Sequence, residues 1–188
     1  MSAETTTPTT SKKTAAALVG PAIIGCGVSA GIGVYASIHK PTNLAVNIAG
    51  FSSAQTVKVW LASLAFLLAL VQLTSALVMY GKIPRVKAPS WIGALHRWSG
   101  RAAFLSAVPV AMHCVYALGF QTYDARALIH SVLGTMFFGA FTVKMLVLTK
   151  KGMPGWALPL LGGLVFTGLT GLFLTSSLWF FTTSGVKF

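Results

Sequence analysis

The feature that most constrains this chain is a series of five long segments that carry no charged side chain. They cover residues 14–39, 59–81, 102–123, 127–143 and 152–186. A transmembrane helix needs roughly 20 consecutive, mostly apolar residues, at about 1.5 Å of rise per residue. Each segment can therefore hold one spanning helix, and little chain remains for a soluble domain.

The composition agrees with a membrane protein, because 55% of the 188 residues are hydrophobic and only 9% are charged. Such a chain cannot form a soluble surface of ordinary polarity. We predict an all-α integral membrane bundle of five transmembrane helices near residues 15–38, 57–80, 97–119, 126–149 and 155–181. The nearest alternative is four helices plus one, since Lys144 lies inside the fourth predicted helix.

The distribution of basic residues predicts the orientation, because Lys and Arg are enriched in cytoplasmic loops. With the N-terminus in the cytoplasm and the C-terminus outside, ten of the fourteen basic residues lie inside: Lys12, Lys13, Lys82, Arg85, Lys87, Arg97, Arg101, Lys144, Lys150 and Lys151. The other four lie outside: Lys40, Lys58, Arg126 and Lys187. We therefore predict a multi-pass protein of the cell membrane with a cytoplasmic N-terminus.

The two ends of the chain are polar. Residues 1–14 are Thr-rich and contain Pro8, which predicts a disordered cytoplasmic tail, and residues 183–188 form an outer C-terminal tail after the five-helix domain of residues 15–182. The apolar stretch after Lys13 is longer than the core of a signal peptide, so cleavage is disfavoured. Cleavage near Ala36 would leave four helices.

Several function classes lack the residues that they need. The net charge of +12 is placed at helix ends, where it faces lipid headgroups, so no nucleic-acid partner is expected. Glu4 and Asp124 are the two acidic residues, which excludes paired carboxylates, Mg or Ca clusters and acidic proton relays within the bilayer. No phosphate-binding loop and no C-x-x-C-H haem-attachment motif is present.

Histidine is the remaining candidate for chemistry. His113 and His130 lie inside the third and fourth predicted helices, whereas His39 closes the first helix at the outer side and His96 opens the third at the inner side. Measured from the short loop between their helices, His113 and His130 lie at roughly 9 and 6 Å depth at 1.5 Å per residue. Two imidazoles at matching depth are suited to hold one haem iron as axial ligands.

Neighbouring residues support a haem site. Arg126 lies one turn outward of His130, where it could meet a propionate, and Gly134 lies one turn inward, where it leaves room for a porphyrin. Pro109 precedes His113 by one turn and could open the bundle there. We therefore predict His113 and His130 as metal ligands of one haem b, with Arg126 and Gly134 contributing to the cofactor site.

Other interpretations of the histidines stay open. His113 and His130 could instead hydrogen-bond each other or helix carbonyls, at about 1 kcal/mol. Sequence-adjacent helices must also separate beyond the usual axis distance of about 8–10 Å to admit a macrocycle, which pairing His39 with either residue would avoid. At the inner side, His96 could bind a second haem or a quinone headgroup, or anchor to lipid headgroups, and no other histidine is there to complete a bis-histidine site.

The stretches LHRWSGR, PVAMHCVYALGF, ARALIHSVLG and TSSLWFF are similar to a family of short actinobacterial membrane proteins of unknown function. The resemblance covers most of residues 15–182 and implies a five-helix membrane protein. More distantly, the histidines of the third and fourth helices resemble those of the transmembrane cytochrome b and ferric-reductase group. That resemblance implies haem between the helices, electron transfer, His113 and His130 as axial ligands, and His96 as an inner ligand.

The chain departs from that distant group in two ways. The group holds two haems on four histidines paired between leaflets, whereas here three histidines lie at or near the outer side and one at the inner side. No flavin or nicotinamide domain is present, so electrons would come from quinol or a partner redox protein. The sequence thus predicts an oxidoreductase component that transfers electrons through haem b, with quinone as a further candidate cofactor.

Two other functions remain open. A non-catalytic accessory or scaffolding subunit of a membrane complex could dock through the first helix, where Gly27 and Gly31 form a G-x-x-x-G pattern. A small-solute transporter is less favoured, because the sequence shows neither charge at the membrane midplane nor an inverted repeat.

Overall fold

The computed structural model describes the backbone of residues 9–188 and the side chains of residues 17–188. This part of the chain is helical and contains no strand. Five of its helices are long and apolar enough to cross a membrane, as predicted. They are α1 (Thr9–Ile38), α2 (Ala54–Met79), α3 (Ile92–Met112), α4 (Ala125–Leu148) and α5 (Ala157–Phe173), and α5 continues through Leu174–Leu178 into the short helix α6 (Trp179–Ser184).

The helix boundaries differ from the predicted ones mainly at the N-terminal ends. α1 begins at Thr9, within the segment predicted as a tail, and residues 1–8 of that tail lie outside the described residues. α2 begins at Ala54 because Ser53 and Thr56 form a capping box, in which the Ser53 hydroxyl accepts from the Thr56 backbone N–H. α3 begins at Ile92 rather than near residue 97.

Helices that are consecutive in sequence do not all pack closely in the bundle. α2 packs against α3 and α5, and α4 packs against α1 and α5. α3 and α4, although consecutive in sequence, are not a closely packed pair. They meet through Phe104, whose ring lies 4.5 Å from that of Phe141 and 6.3 Å from that of Phe138, measured between ring centroids. Space is therefore left between α3 and α4.

The closest helix crossing joins α1 to α4. A Cβ atom built on Gly25 would lie 2.7 Å from the Gly139 carbonyl oxygen, and one built on Gly139 would lie 2.5 Å from the Gly25 carbonyl oxygen. One turn along, the Ser29 hydroxyl donates to the Thr135 carbonyl at 3.1 Å. The crossing requires glycine on both helices, as close contacts between membrane helices generally do.

One end of the bundle carries the C-terminus, the 39–53 loop and the 119–124 turn, and is called here the C-terminal end. The Ser52 N–H donates to the Phe188 carbonyl at 2.8 Å, and the Trp60 indole N–H donates to the Lys187 carbonyl at 2.8 Å. These bonds fix the end of the chain against the start of α2. The opposite end carries the 80–91 and 149–156 loops.

Two π-helical segments lie at this C-terminal end. The first, His113–Leu118, continues α3 four residues after Pro109, and the second is Leu174–Leu178. The carbonyls of Tyr116 and Ala117 in the first segment accept the backbone N–H groups of Thr42 and Asn43, at 3.3 and 3.1 Å. π-Helical turns are rare and occur frequently at functional sites.

Candidate functional site

A central cavity of about 560 Å³ lies at the C-terminal end, and all five membrane-spanning helices contribute to its lining. This volume falls within the range of roughly 300–1,000 Å³ that is typical of small-molecule sites. The walls are largely apolar, with residues such as Ala65, Phe138 and Leu169. Both π-helical segments also contribute to the lining. The polar side chains converge near the 119–124 turn.

His130 in α4 lines this cavity, and its hydrogen bonds determine which ring nitrogen is free. Its Nδ1 lies 2.9 Å from the Thr175 Oγ1. The Thr175 hydroxyl hydrogen is already donated to the Gly171 carbonyl at 2.7 Å, so the hydroxyl oxygen can only accept. These hydrogen bonds assign the proton of a neutral His130 to Nδ1, which leaves the lone pair on Nε2.

The Nε2 atom of His130 points toward α3. It lies 3.9 Å from the Cys114 Sγ, and Cys114 lines the same cavity. Thiols are weak hydrogen-bond donors, so this contact leaves the imidazole lone pair only weakly satisfied. A neutral imidazole with one nitrogen fixed by a hydrogen bond and the other free is the arrangement of a metal-ligating histidine.

Arg126 lies one turn from His130 and lines the same cavity. Its Nη1 donates to the Thr175 carbonyl at 2.9 Å, and its guanidinium carbon lies 3.8 Å from the centroid of the Trp179 ring. Its Nη2 lies 3.6 Å from a carboxylate oxygen of Asp124, at the exposed edge of the site. The guanidinium is thus held in one position at the C-terminal end of the cavity.

Lys58 also belongs to this site, although its position in the sequence predicted only a place among the outer lipid headgroups. It lies in the second turn of α2, retains 8% of its exposure and lines the central cavity. It makes no hydrogen bond or ion pair with any side chain among residues 17–188. The sequence did not predict this burial, because the Ser53 cap starts α2 at Ala54, three residues before the predicted boundary. Lys58 therefore lies deeper in the helix than predicted.

His113 does not line the central cavity. It lines a second, lateral cavity of about 410 Å³ between the 39–53 loop, α2 and α3, together with Lys58 and Tyr116. His113 and Cys114 are consecutive residues of the π-helical segment, and Cys114 rather than His113 lies on the side of His130. The structure therefore brings together His130, Arg126 and Gly134, but separates them from His113.

His39 and His96 each have a different environment. The His39 ring stacks between Tyr35 and Tyr116, with centroid separations of 5.0 and 4.9 Å, and its buried Nε2 has no hydrogen-bond partner. It lines neither cavity. His96 lies at the opposite end of the bundle, where its Nδ1 is 2.8 Å from the Ser75 hydroxyl of α2.

Gln72 completes the polar contact around His96. Its side-chain amide donates to the His96 carbonyl and, at 2.7 Å, to the Ser99 hydroxyl. These bonds attach α2 to α3, and the side chain of His96 is already engaged with Ser75. Among residues 17–188, no three His, Cys, Asp or Glu side chains come together as a metal-ion site. A haem needs fewer protein ligands than such a site, because its porphyrin nitrogens complete the coordination.

The chain belongs to a family of unknown function, DUF6529, whose sequence profile matches residues 18–188. The matched segment contains all the residues that line the central cavity. Neither a curated protein nor a solved structure matches the chain significantly. The function is therefore inferred from the geometry of the cavity.

Proposed function

We propose that this protein holds one b-type haem in the central cavity, with His130 as an axial ligand, and transfers electrons with a membrane quinol or a partner redox protein. The observation that carries the proposal is the orientation of His130. With the Thr175 hydroxyl accepting a hydrogen bond from Nδ1–H, the Nε2 lone pair is directed toward Cys114, another residue that lines the cavity. Metal-ligating histidines are oriented by such a hydrogen bond in most metalloproteins.

The other residues of the cavity fit the same group. Apolar walls exclude water from a macrocycle, and Gly134 adds no side chain to the wall beside His130. Arg126 and Lys58 are positioned to meet carboxylates at the C-terminal end. A bound haem would supply reversible one-electron chemistry, while the residues of this chain hold it, orient it and limit access of water.

Whether a second residue of the chain would ligate the haem iron is a separate question. Pairing His113 with His130 remains a prediction of the sequence, and in this structure His113 lines the lateral cavity instead. We therefore propose His130 as the ligand on which haem binding depends. The distant resemblance of the chain to the transmembrane cytochrome b and ferric-reductase group supports a redox role. Proteins of that group use two haems and four histidines.

We also propose that the bundle lies in the cell membrane of an actinobacterium, with its N-terminus in the cytoplasm. The excess of basic residues on the N-terminal side supports this orientation. The cavity would then open near the outer face, and electrons would be exchanged there with quinol or with a partner. His96 at the inner end remains a candidate contact for a quinone headgroup.

The test is a set of oxidised and dithionite-reduced visible spectra of the protein from haem-replete cells, purified in mild detergent. We expect about one haem per chain in the wild type, no haem in His130→Ala, and wild-type haem content in His39→Ala, whose ring lies at the same end but lines neither cavity. A His113→Ala spectrum decides the second ligand. A colourless wild type that is folded, or full haem content in His130→Ala, would refute the proposal.

A scaffolding function is the second candidate, and one observation favours it. Gly20, Gly27 and Gly31 of α1 have no atom within 4 Å of the position of an added Cβ, so this stripe of small residues is open. Small residues on membrane helices permit close packing with another helix. A colourless protein that copurifies with a membrane complex, and loses it on Gly27→Leu, would favour this function over electron transfer.

A further inference from the structure

We propose that Lys58 and Arg126 form an anion site at the C-terminal end of the central cavity. It would take the carboxylate or phosphate group of an amphipathic ligand whose apolar part lies along the apolar wall. If the ligand is haem, the site receives its propionates, and in that case the inference deepens the proposed function. The anion site itself stands on the cavity and its cations, independently of the iron ligand.

Lys58 supplies the first cation of the proposed site. Its side chain is more than nine-tenths buried, in α2, yet no described side chain or carbonyl accepts from its ammonium. Its ammonium retains some accessible surface, and Lys58 lines both the central and the lateral cavity. A buried charge without a partner is costly, and such charges are normally paired. The missing partner is therefore expected in one of these two cavities, and the second cation, Arg126, lies on the central one.

Arg126 supplies the second cation and approaches the central cavity from α4. Its guanidinium is fixed by the Thr175 carbonyl at 2.9 Å, the Tyr123 hydroxyl at 3.2 Å and the Trp179 ring. Fixed guanidinium groups recognise carboxylate and phosphate oxygens well, because little conformational entropy is lost on binding.

The balance of charge makes the site cationic. The sequence contains two acidic residues, and Asp124 is the one that falls within the described residues 17–188, where it lies beside Arg126. Its side chain is 45% exposed and is 3.6 Å from Arg126, so it offsets part of one cation at the rim. Lys58 has no such counterpart among residues 17–188. Among the described residues, the cavity thus combines an excess of positive charge with a largely apolar wall.

This combination selects a ligand with one anionic end and an apolar body. Either haem, through its carboxylates, or a single-chain lipid such as a fatty acid has this chemistry. A neutral solute would leave Lys58 unpaired, and a fully hydrophilic anion would not fill the apolar wall. Haem and a fatty acid share the carboxylate group. Comparing each acid with its own ester shows which of the two ligand classes depends on that group for binding.

The experiment measures binding to the full chain in nanodiscs of a zwitterionic lipid. The probes are haemin and its dimethyl ester, and the fluorescent fatty acid cis-parinaric acid and its methyl ester. The variants are Lys58→Met, Lys58→Arg and Arg126→Gln. Lys144→Met is the matched control, because Lys144 is a partly buried lysine that does not line the cavity.

We expect Lys58→Met and Arg126→Gln each to weaken binding of the acid form by about tenfold, as loss of one charged hydrogen bond would. Ester binding should stay unchanged, Lys58→Arg should restore acid binding, and Lys144→Met should bind like the wild type. An acid preference limited to one probe pair identifies that ligand class. Equal binding of acid and ester in the wild type, or unaltered acid binding in both charge-loss variants, would overturn the anion site.

The failures of the two proposals are distinguishable. If the fatty acid binds with the expected charge dependence but no haem is retained, the anion site stands and the proposed function fails. If haem binds through His130 with no effect of Lys58→Met or Arg126→Gln, the proposed function stands and the anion site fails.

Discussion

Substituting Gly139 by alanine is expected to destabilise the bundle, although alanine is the better helix former. Gly139 lies in α4 at its crossing with α1. A Cβ atom at this position would lie 2.5 Å from the Gly25 carbonyl oxygen and 3.2 Å from the Ser29 Cβ. Both atoms belong to the backbone or to the stem of a side chain, so neither can rotate away.

The size of the effect follows from that distance. Ordinary van der Waals contact for a Cβ begins at 3.4 Å, so the helices must separate by about 0.9 Å, which is 3.4 minus 2.5. Inserting a methyl group into a packed contact costs about 1–3 kcal/mol. The intrinsic helix propensity of alanine offsets roughly 0.5–1 kcal/mol of that loss. We expect a net decrease of about 0.5–2 kcal/mol in the free energy of unfolding.

Reversible unfolding in mixed micelles measures this free energy. Gly31→Ala is the matched control, because Gly31 lies on α1 and an added Cβ there would meet no atom within 4 Å. The control should be neutral or slightly stabilising. If Gly139→Ala is as stable as Gly31→Ala, the close crossing of α1 and α4 is not present and the packing argument is refuted.

Three further changes test the site and its supports. Thr175→Val removes the acceptor for His130 Nδ1 and should weaken haem binding by about 10–100-fold in a haemin titration; unchanged affinity would mean that the hydroxyl does not orient the imidazole. Ser53→Ala should cost about 1 kcal/mol by loss of the helix cap, seen as faster hydrogen exchange in the first turn of α2, whereas unchanged exchange would exclude the capping box. Gln72→Leu removes the amide bonds to α3 and should lower stability by about 0.6 kcal/mol or more, measured by the same unfolding assay; no loss would show that these bonds contribute nothing net.

Much of the fold could be predicted from local sequence. Five apolar segments of sufficient length gave five membrane-spanning helices, because backbone groups in a bilayer must be satisfied within each helix. The start of α3 was missed by five residues, since Ile92 begins a helix without a side-chain cap. No local signal separated that turn from the loop before it.

The candidate site could be predicted only in part. His130, Arg126 and Gly134 share one face of one helix, so their spacing alone placed them together, and the structure has all three on the central cavity. His113 was predicted to pair with His130 because the two residues lie at matching depth along their helices. Depth does not fix rotation about the helix axis, and in the structure His113 lines the lateral cavity instead.

Sequence by itself determined the residues that cross the membrane, the shortage of acidic groups and the spacing along α4, because all three are properties of one segment at a time. Tertiary structure decided which helices pack, and α3 and α4 are not a closely packed pair although they are consecutive in sequence. It also decided that Thr175, in the π-helical segment after α5, fixes His130 and that Lys58 from α2 reaches the same cavity. Such pairings depend on helix rotation and on contacts between residues distant in sequence, which no local pattern encodes.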